Sequence, residues 1–392
     1  MNYIARAIEP SLIKAAKSFP CVVLTGPRRS GKTHLLKRLF PKAQYYLLED
    51  PDVIGRFRND PQGFLDALKP PVILDEIQNV PEVFNYVRTR IDQHPRKTGL
   101  WFLTGSQESS LMRNVTESMA GRAAIMQLLP FAASETPKAT LLRGGYPEVL
   151  ARPQAAQLWF SSYLQTYLER DVRGITAVQD LAMFRRFLAL LATRHGQILN
   201  RSDLAAPLGI SVPSVGRWLD ILEATAQIIV VQPYFENLGK RIIKSPRIYF
   251  SDSGLACHLL GIDTDAELEK SPFLGAIFEG FIASEIVKAQ VNVGRRRELY
   301  YFRDQQGLEV DFLVPGKNAS VTLIETKASK TVHSQMAKPM QSLAHAWSQR
   351  PNPGGIRQLL VSRATTSPAT RSRAIAPGVE TIAWRELAAE LL

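Results

Sequence analysis

Residues 26–33 read GPRRSGKT. A glycine, four residues and then Gly-Lys-Thr is the spacing of a loop that wraps phosphate groups. Backbone N–H groups and the positive end of the following helix face the anion, the lysine reaches its outer phosphates, and the hydroxyl ligates magnesium. The flanks suit that reading: Val22, Val23 and Leu24 make a strand feeding the loop, and HLLKRLF a helix leaving it. Gly26, Pro27, Arg28, Arg29, Ser30, Gly31, Lys32 and Thr33 are therefore the expected ATP-binding residues, with Lys32 on the β- and γ-phosphates and Thr33 on Mg2+.

The second half of such a site follows in PVILDEIQ, residues 71–78. Val72, Ile73 and Leu74 read as a buried strand, from whose end Asp75 can hold magnesium and Glu76 can polarise an attacking water. A helix cap with two surface acids is the structural alternative. The adjacent acid favours hydrolysis over transfer to a second substrate. LWFLTGSQ, residues 100–107, is another apolar strand, and it ends in hydroxyls. Thr104 or Ser106 is placed to sense a γ-phosphate, unless the stretch is only a strand-ending turn. In MAGRAAIM, Arg122 is a candidate to reach the γ-phosphate of a neighbouring subunit; a surface salt bridge is its plainer reading.

The whole chain sets bounds on this site. Its 392 residues exceed one ordinary core, and 45% hydrophobic with 21% charged residues is the balance of a folded, water-exposed protein. A net charge of +12 favours polyanionic partners, DNA first. Two distant cysteines, Cys21 and Cys257, argue against a disulfide frame or zinc ribbon. With no apolar leader or membrane-length run, a cytoplasmic location and no membrane partner are expected.

Four segments emerge. Residues 1–133 alternate short apolar runs (CVVLT, QYYLL, PVILD, LWFLT) with helical stretches, which predicts an α/β core on a parallel sheet. Residues 134–195 read as a helical connector or lid. Residues 196–260 carry two short helices, with Ser202 and Ser211 as expected N-caps, then IIVVQPYF and IYFSD across a basic loop, the grammar of a winged helix-turn-helix. Ser214 and Arg217 on its second helix, and Lys240, Arg241, Lys244 and Arg247 on or beside the wing, are the expected DNA contacts. Residues 261–392 run helix, three strands, helix, strand. Asp311 in LEVDFLV, with Glu325 and Lys327 on one face of VTLIETK, is the carboxylate–lysine set of PD-(D/E)XK nucleases, whose acids hold magnesium and whose lysine handles the attacking water. Glu279 is the expected helical metal ligand. Glu285, nearer the middle of the apolar stripe, needs a metal or a lysine as partner. A solvated charged hairpin used only for binding has the same sequence pattern.

GPRRSGKT, VILDEIQNVP, FLTGSQ, SMAGR, RGGYPE and YLERDV, followed by NLGKRIIKSPRIYFSDSGLA and LGAIFEGFIASEI, together resemble a prokaryotic family of AAA-type ATP-binding proteins. The resemblance covers nearly the whole chain. It implies an AAA-like P-loop core, a restriction-endonuclease-like carboxyl-terminal domain and a homo-oligomeric ring, with no substrate assigned. Arg170 is the candidate for a lid arginine. The expected function is Mg-dependent ATP hydrolysis that drives or gates DNA binding or processing. The alternative is a nucleotide-gated DNA- or protein-binding regulator with an inactive nuclease fold.

Overall fold

The apolar runs around the P-loop form a sheet covered on both faces. In the computed structural model, which describes residues 3–105, 119–167, 180–234, 245–350, 354–364 and 373–391, five parallel strands lie in the order β2-β3-β4-β1-β5. They are β1 (Cys21–Thr25), β2 (Gln44–Leu47), β3 (Val72–Asp75), β4 (Trp101–Thr104) and β5 (Ala123–Gln127). β1, β3 and β4 are buried along their whole length, as near-continuous apolar strands in a parallel sheet require. Helices Glu9–Ser18 and Lys32–Leu39 cover one face through Leu12, Leu35 and Leu36; helices Pro51–Asn59 and Val83–Gln93 cover the other through Phe57, Phe84 and Val87. Parallel pairing puts every strand's carboxyl end on one edge. The loop after β1, Asp75 after β3 and Thr104 after β4 therefore meet there, with β4 inserted between the other two.

Helices Pro147–Ala151, Ala156–Tyr167 and Leu181–Thr193 follow and share a core with helices Arg201–Ala205 and Val212–Ala224 around Phe184, Phe187 and Trp218. Asn200, not Ser202, caps the first of the short helices, its side chain accepting from Ser202 N at 3.0 Å. Ser211 caps the second as expected.

β6 (Ile228–Pro233) and β7 (Arg247–Phe250) form an antiparallel hairpin. They join β8 (Tyr300–Arg303), β9 (Glu309–Pro315), β10 (Val321–Lys327), β11 (Ile356–Ser362), β12 (Arg373–Ala376) and β13 (Val379–Ala383) in one eight-stranded sheet, ordered β12-β13-β11-β10-β9-β8-β6-β7. The segments divided at residue 260 in sequence thus share a sheet, through Gln232 opposite Tyr300 and Pro233 opposite Tyr301. β8, β9 and β10 make an antiparallel meander, and helix Lys338–Ser348 crosses over to a parallel β11.

The helix Leu274–Asn292 is the axis of this half. From Ile277 onward every residue except Glu279 is buried, so it is enclosed all round and not striped as its sequence suggests. Gly280 permits its close approach to the preceding segment, since a Cβ there would meet His195 Nε2 at 2.0 Å. Glu285 points towards the ATPase-side sheet. It pairs with Lys288 at 3.0 Å and accepts from Ala133 N at 2.8 Å, while Lys288 donates to Phe131 O at 3.1 Å. The partner demanded by a buried acid is a lysine. Glu285→Ala strips Lys288 of its counter-ion in a site only 3% exposed. The expected loss is about 3–5 kcal/mol, read as a lowered denaturation midpoint; an unchanged midpoint refutes the assignment.

Candidate functional site

At the carboxyl edge of the five-stranded sheet the chain turns sharply out of β1. Gly26 has φ 144°, and a Cβ on it would lie 2.1 Å from Leu128 O at the end of β5, so only glycine fits. Gly31 (φ 97°) then starts helix Lys32–Leu39. Lys32 is buried, its ammonium resting on Gly26 O and Pro27 O, each at 3.0 Å. The buried Ser30 hydroxyl has no partner within the described residues.

Asp75 is 2% exposed, and three hydroxyls serve it: Thr33 donates at 2.7 Å, Tyr45 at 2.9 Å, and Thr104 to the other carboxylate oxygen. Burial and the neighbouring Asp75 charge push the Tyr45 hydroxyl pKa up, which keeps it a donor. Glu76 takes a left-handed backbone conformation (φ 59°), a strained geometry often kept at working sites. Its carboxylate accepts from Gln78 Nε2 and lies 3.7 Å from Arg28. Arg28, Ser30, Lys32, Thr33, Tyr45, Asp75 and Glu76 line a cavity of about 1180 Å³, whose lining also includes Tyr3, Phe131, Trp159 and Tyr163. The hard oxygens of Thr33 and Asp75 fit magnesium, and the unpartnered Ser30 hydroxyl fits a phosphate.

Sequence reasoning missed Tyr45 and Arg6. Arg6 is buried, stacks on Phe131, pairs with Glu135 at 3.0 Å, and donates to Ser30 O at 3.2 Å and Leu129 O at 2.8 Å. Nothing local in the sequence marks it. Arg122 does not reach this cavity in its own chain. It precedes β5, at the opposite edge of the sheet, and forms a two-pronged pair with Asp92 at 2.6 and 3.1 Å, the plainer of its two readings. Ser106, Arg170, Lys240, Arg241 and Lys244 lie outside the described residues.

The second acidic site lies between β7, helix Leu274–Asn292, β9 and β10. Asp311 accepts from Thr326 N and Thr326 Oγ1, both at 2.8 Å, and Lys327 pairs with Glu325 at 2.6 Å. Arg247 is a correction to the expected DNA contacts. It is 4% exposed and reaches Glu279 at 2.9 Å, Glu309, and Asp311 at 3.9 Å, with its guanidinium 4.8 Å from the Tyr301 ring centre. Tyr249 also donates to Glu279, at 2.5 Å. The structure thus gathers Glu279, Asp311, Glu325 and Lys327 in one neighbourhood, but around a guanidinium. Among the described residues no three His, Cys, Asp or Glu side chains converge on a metal position. Arg247 holds the side of this cluster formed by Glu279 and Glu309, and the buried second oxygen of Glu325 has no partner among the described residues.

Against the carboxylates of Glu279, Glu309, Asp311 and Glu325 stand Arg247, Lys327 and Arg303 among the described residues. One negative charge is in excess. Burial, then the Asp311 charge, pushes Glu279 up to about 8 and Glu325 up to about 7. A carboxyl group whose pKa is raised by folding stabilises the fold at low pH and loses that contribution as pH rises. Stability should therefore fall between about pH 4.5 and about pH 8, and Glu279→Gln should flatten that fall in denaturant midpoints. Parallel pH profiles in the two proteins would refute it.

Three domain families match in succession: "AAA domain" over residues 18–136, "Domain of unknown function (DUF8612)" over 134–266 and "Domain of unknown function (DUF4143)" over 274–373. The uncharacterized protein Rv2008c of Mycobacterium tuberculosis is 33% identical over 310 residues, 77% of this chain and 69% of that protein; the uncharacterized protein Mb2031c of Mycobacterium bovis matches equally. Among solved structures, the Walker-type ATPase PABY2304 of Pyrococcus abyssi aligns over 66% of this chain and 96% of that chain, with 16% identity and a TM-score of 0.45. No described helix is long and apolar enough to cross a membrane. The chain belongs to the family of these two mycobacterial proteins, and its amino-terminal part is an AAA-type ATPase core.

Proposed function

We propose that this protein binds ATP in the cavity beside Lys32, hydrolyses it, and uses the cycle to gate DNA contacts made by the carboxyl-terminal half. One observation carries the reading: Asp75, buried at the end of β3, is held by the Thr33 hydroxyl 2.7 Å away, beside a lysine docked on its own loop. The aromatic rings of Tyr3, Trp159 and Tyr163 in the lining suit a purine base, and the polar groups of Ser30, Lys32 and Thr33 suit the phosphates. Lys32 exchanges two loop carbonyls for phosphate oxygens. Thr33 and Asp75 would hold magnesium, which when bound would neutralise charge at the phosphates. Glu76 orients the attacking water and takes its proton, with Gln78 and Arg28 fixing its carboxylate meanwhile.

Lys32→Ala should cost ATP binding about 1.5–3 kcal/mol, the strength of a charged hydrogen bond, or roughly 10- to 100-fold in affinity by calorimetry. Glu76→Gln should bind ATP as wild type does while turnover falls on the order of 10²–10⁴-fold. Equal turnover in wild type and Glu76→Gln would reject the base.

DNA as the partner is supported by the net charge of +12 and by the second short helix. Val215, Trp218 and Leu219 of that helix are buried, while Arg217 is exposed with its guanidinium 2.9 Å from Ser214 Oγ. This is the face that a winged helix lays on a duplex. If Arg217 meets a phosphate, Arg217→Ala should weaken binding to all sequences and lower the slope of log affinity against log salt by about 1. An unchanged slope would count against the contact.

A further inference from the structure

We propose that Arg247 is the built-in counter-cation of the carboxyl-terminal acidic site, standing where a nuclease of this design would hold a divalent metal, so that this half acts on DNA by binding and not by cutting it. Its metal-exclusion part is independent of ATP turnover in the amino-terminal half, and its DNA-binding part rests on the function proposed above. Metal exclusion rests on placement. The guanidinium spans Glu279 on the long helix, Glu309 and Asp311 on β9, and the face of Tyr301 on β8. A hydrated magnesium ion needs near-octahedral oxygen ligands at about 2.0–2.1 Å. That geometry is denied by a planar cation already bonded to two of the acids.

Arginine also holds the position permanently. Its charge is not lost at any accessible pH, and its fork matches carboxylates in a way an ammonium does not. Its backbone is fixed as well. Arg247 pairs with Val231 across the hairpin, bridges Ile198, and follows Pro246, whose carbonyl accepts from Leu199 N at 2.7 Å. Ile198 and Leu199 lead directly into the helix capped by Asn200. The base of the side chain is therefore tied both to β7 and to the start of the helix-turn-helix. Of the nuclease-like set, Lys327 is tied to Glu325 at 2.6 Å and one oxygen of Asp311 accepts twice from Thr326, while the second, buried oxygen of Glu325 has no partner among the described residues.

The test is Mn2+ binding to the full chain without nucleotide, followed by electron paramagnetic resonance, together with plasmid nicking in Mn2+. Wild type and Asp311→Asn should bind the same amount of Mn2+, and neither should nick plasmid. Arg247→Met should gain an Mn2+ equivalent that is lost again in the Arg247→Met/Asp311→Asn double variant. An equivalent present in wild type and absent from Asp311→Asn overturns the proposal, as does nicking that depends on Asp311. So does a folded Arg247→Met, checked by circular dichroism, that gains no metal. If Arg247→Met does not fold, the comparison of wild type with Asp311→Asn decides alone.

Discussion

The five residues Phe131–Glu135 are gripped from both sides, and the two halves of the molecule are joined by that grip. On one side Glu135 accepts from Ala7 N and Ala132 N, each at 2.7 Å, and pairs with Arg6, which also holds the P-loop carbonyl of Ser30. On the other side Glu285 and Lys288 of the long helix take Ala133 N and Phe131 O. Burying four charges in such a short span is costly, and a hydrophobic contact of equal size would hold the halves together at least as firmly. What ion pairs supply instead is register. Each charge is satisfied at one position only, so the connector cannot slide against the helix or the P-loop without leaving a buried ion bare.

That register links the two acidic sites. Glu279 and Glu285 are six residues apart on one helix, about 240° around its axis at 3.6 residues per turn. Glu285 therefore faces the ATPase-side connector while Glu279 faces the carboxyl-terminal sheet. The enclosed helix makes this a rigid connection, because rotating it would disturb packing on every side. From Ser30 an unbroken chain of contacts runs through Arg6 and the connector to the helix that carries Glu279.

What the sequence disclosed, and what it hid, divides along contact range. The P-loop, Asp75, Glu76 and Thr104 were legible because each ends a buried strand, and parallel pairing then brings strand ends together without further instruction. Most strands followed from their apolar runs, but β5, β12 and β13 did not: AAIMQ and RAIA are short, and β5 is largely half-buried, so neither stands out as a buried run. Tyr45 and Arg6 were hidden because their partners lie 30 and 24 or more residues away, with no periodicity to announce them. Arg247 was misplaced for a related reason. KRIIKSPR reads as one basic, solvated stretch, but Arg247 already belongs to β7, whose residues are all buried. Charge composition does not reveal which cation of such a run turns inward. Arg122 was ambiguous for the opposite reason, since only the fold places it beside Asp92 and away from the cavity.

The two acidic sites differ in how their carboxylates are satisfied, and that difference decides what each can accept. Asp75 is served by the hydroxyls of Thr33, Tyr45 and Thr104, all neutral. A hydroxyl that gives up a hydrogen bond leaves no net charge behind, and its oxygen can turn to ligate the arriving cation. Glu279 and Glu309 are served by a buried guanidinium, whose displacement would leave Glu279 with only the neutral Tyr249 hydroxyl as donor and Glu309 with Arg303. A cation held by Thr33 and Asp75 would face only neutral donors, whereas Glu279 and Glu309 already hold a bonded guanidinium. Two clusters with similar residue types are therefore satisfied in different ways, one by neutral hydroxyls and one in large part by the protein's own cations.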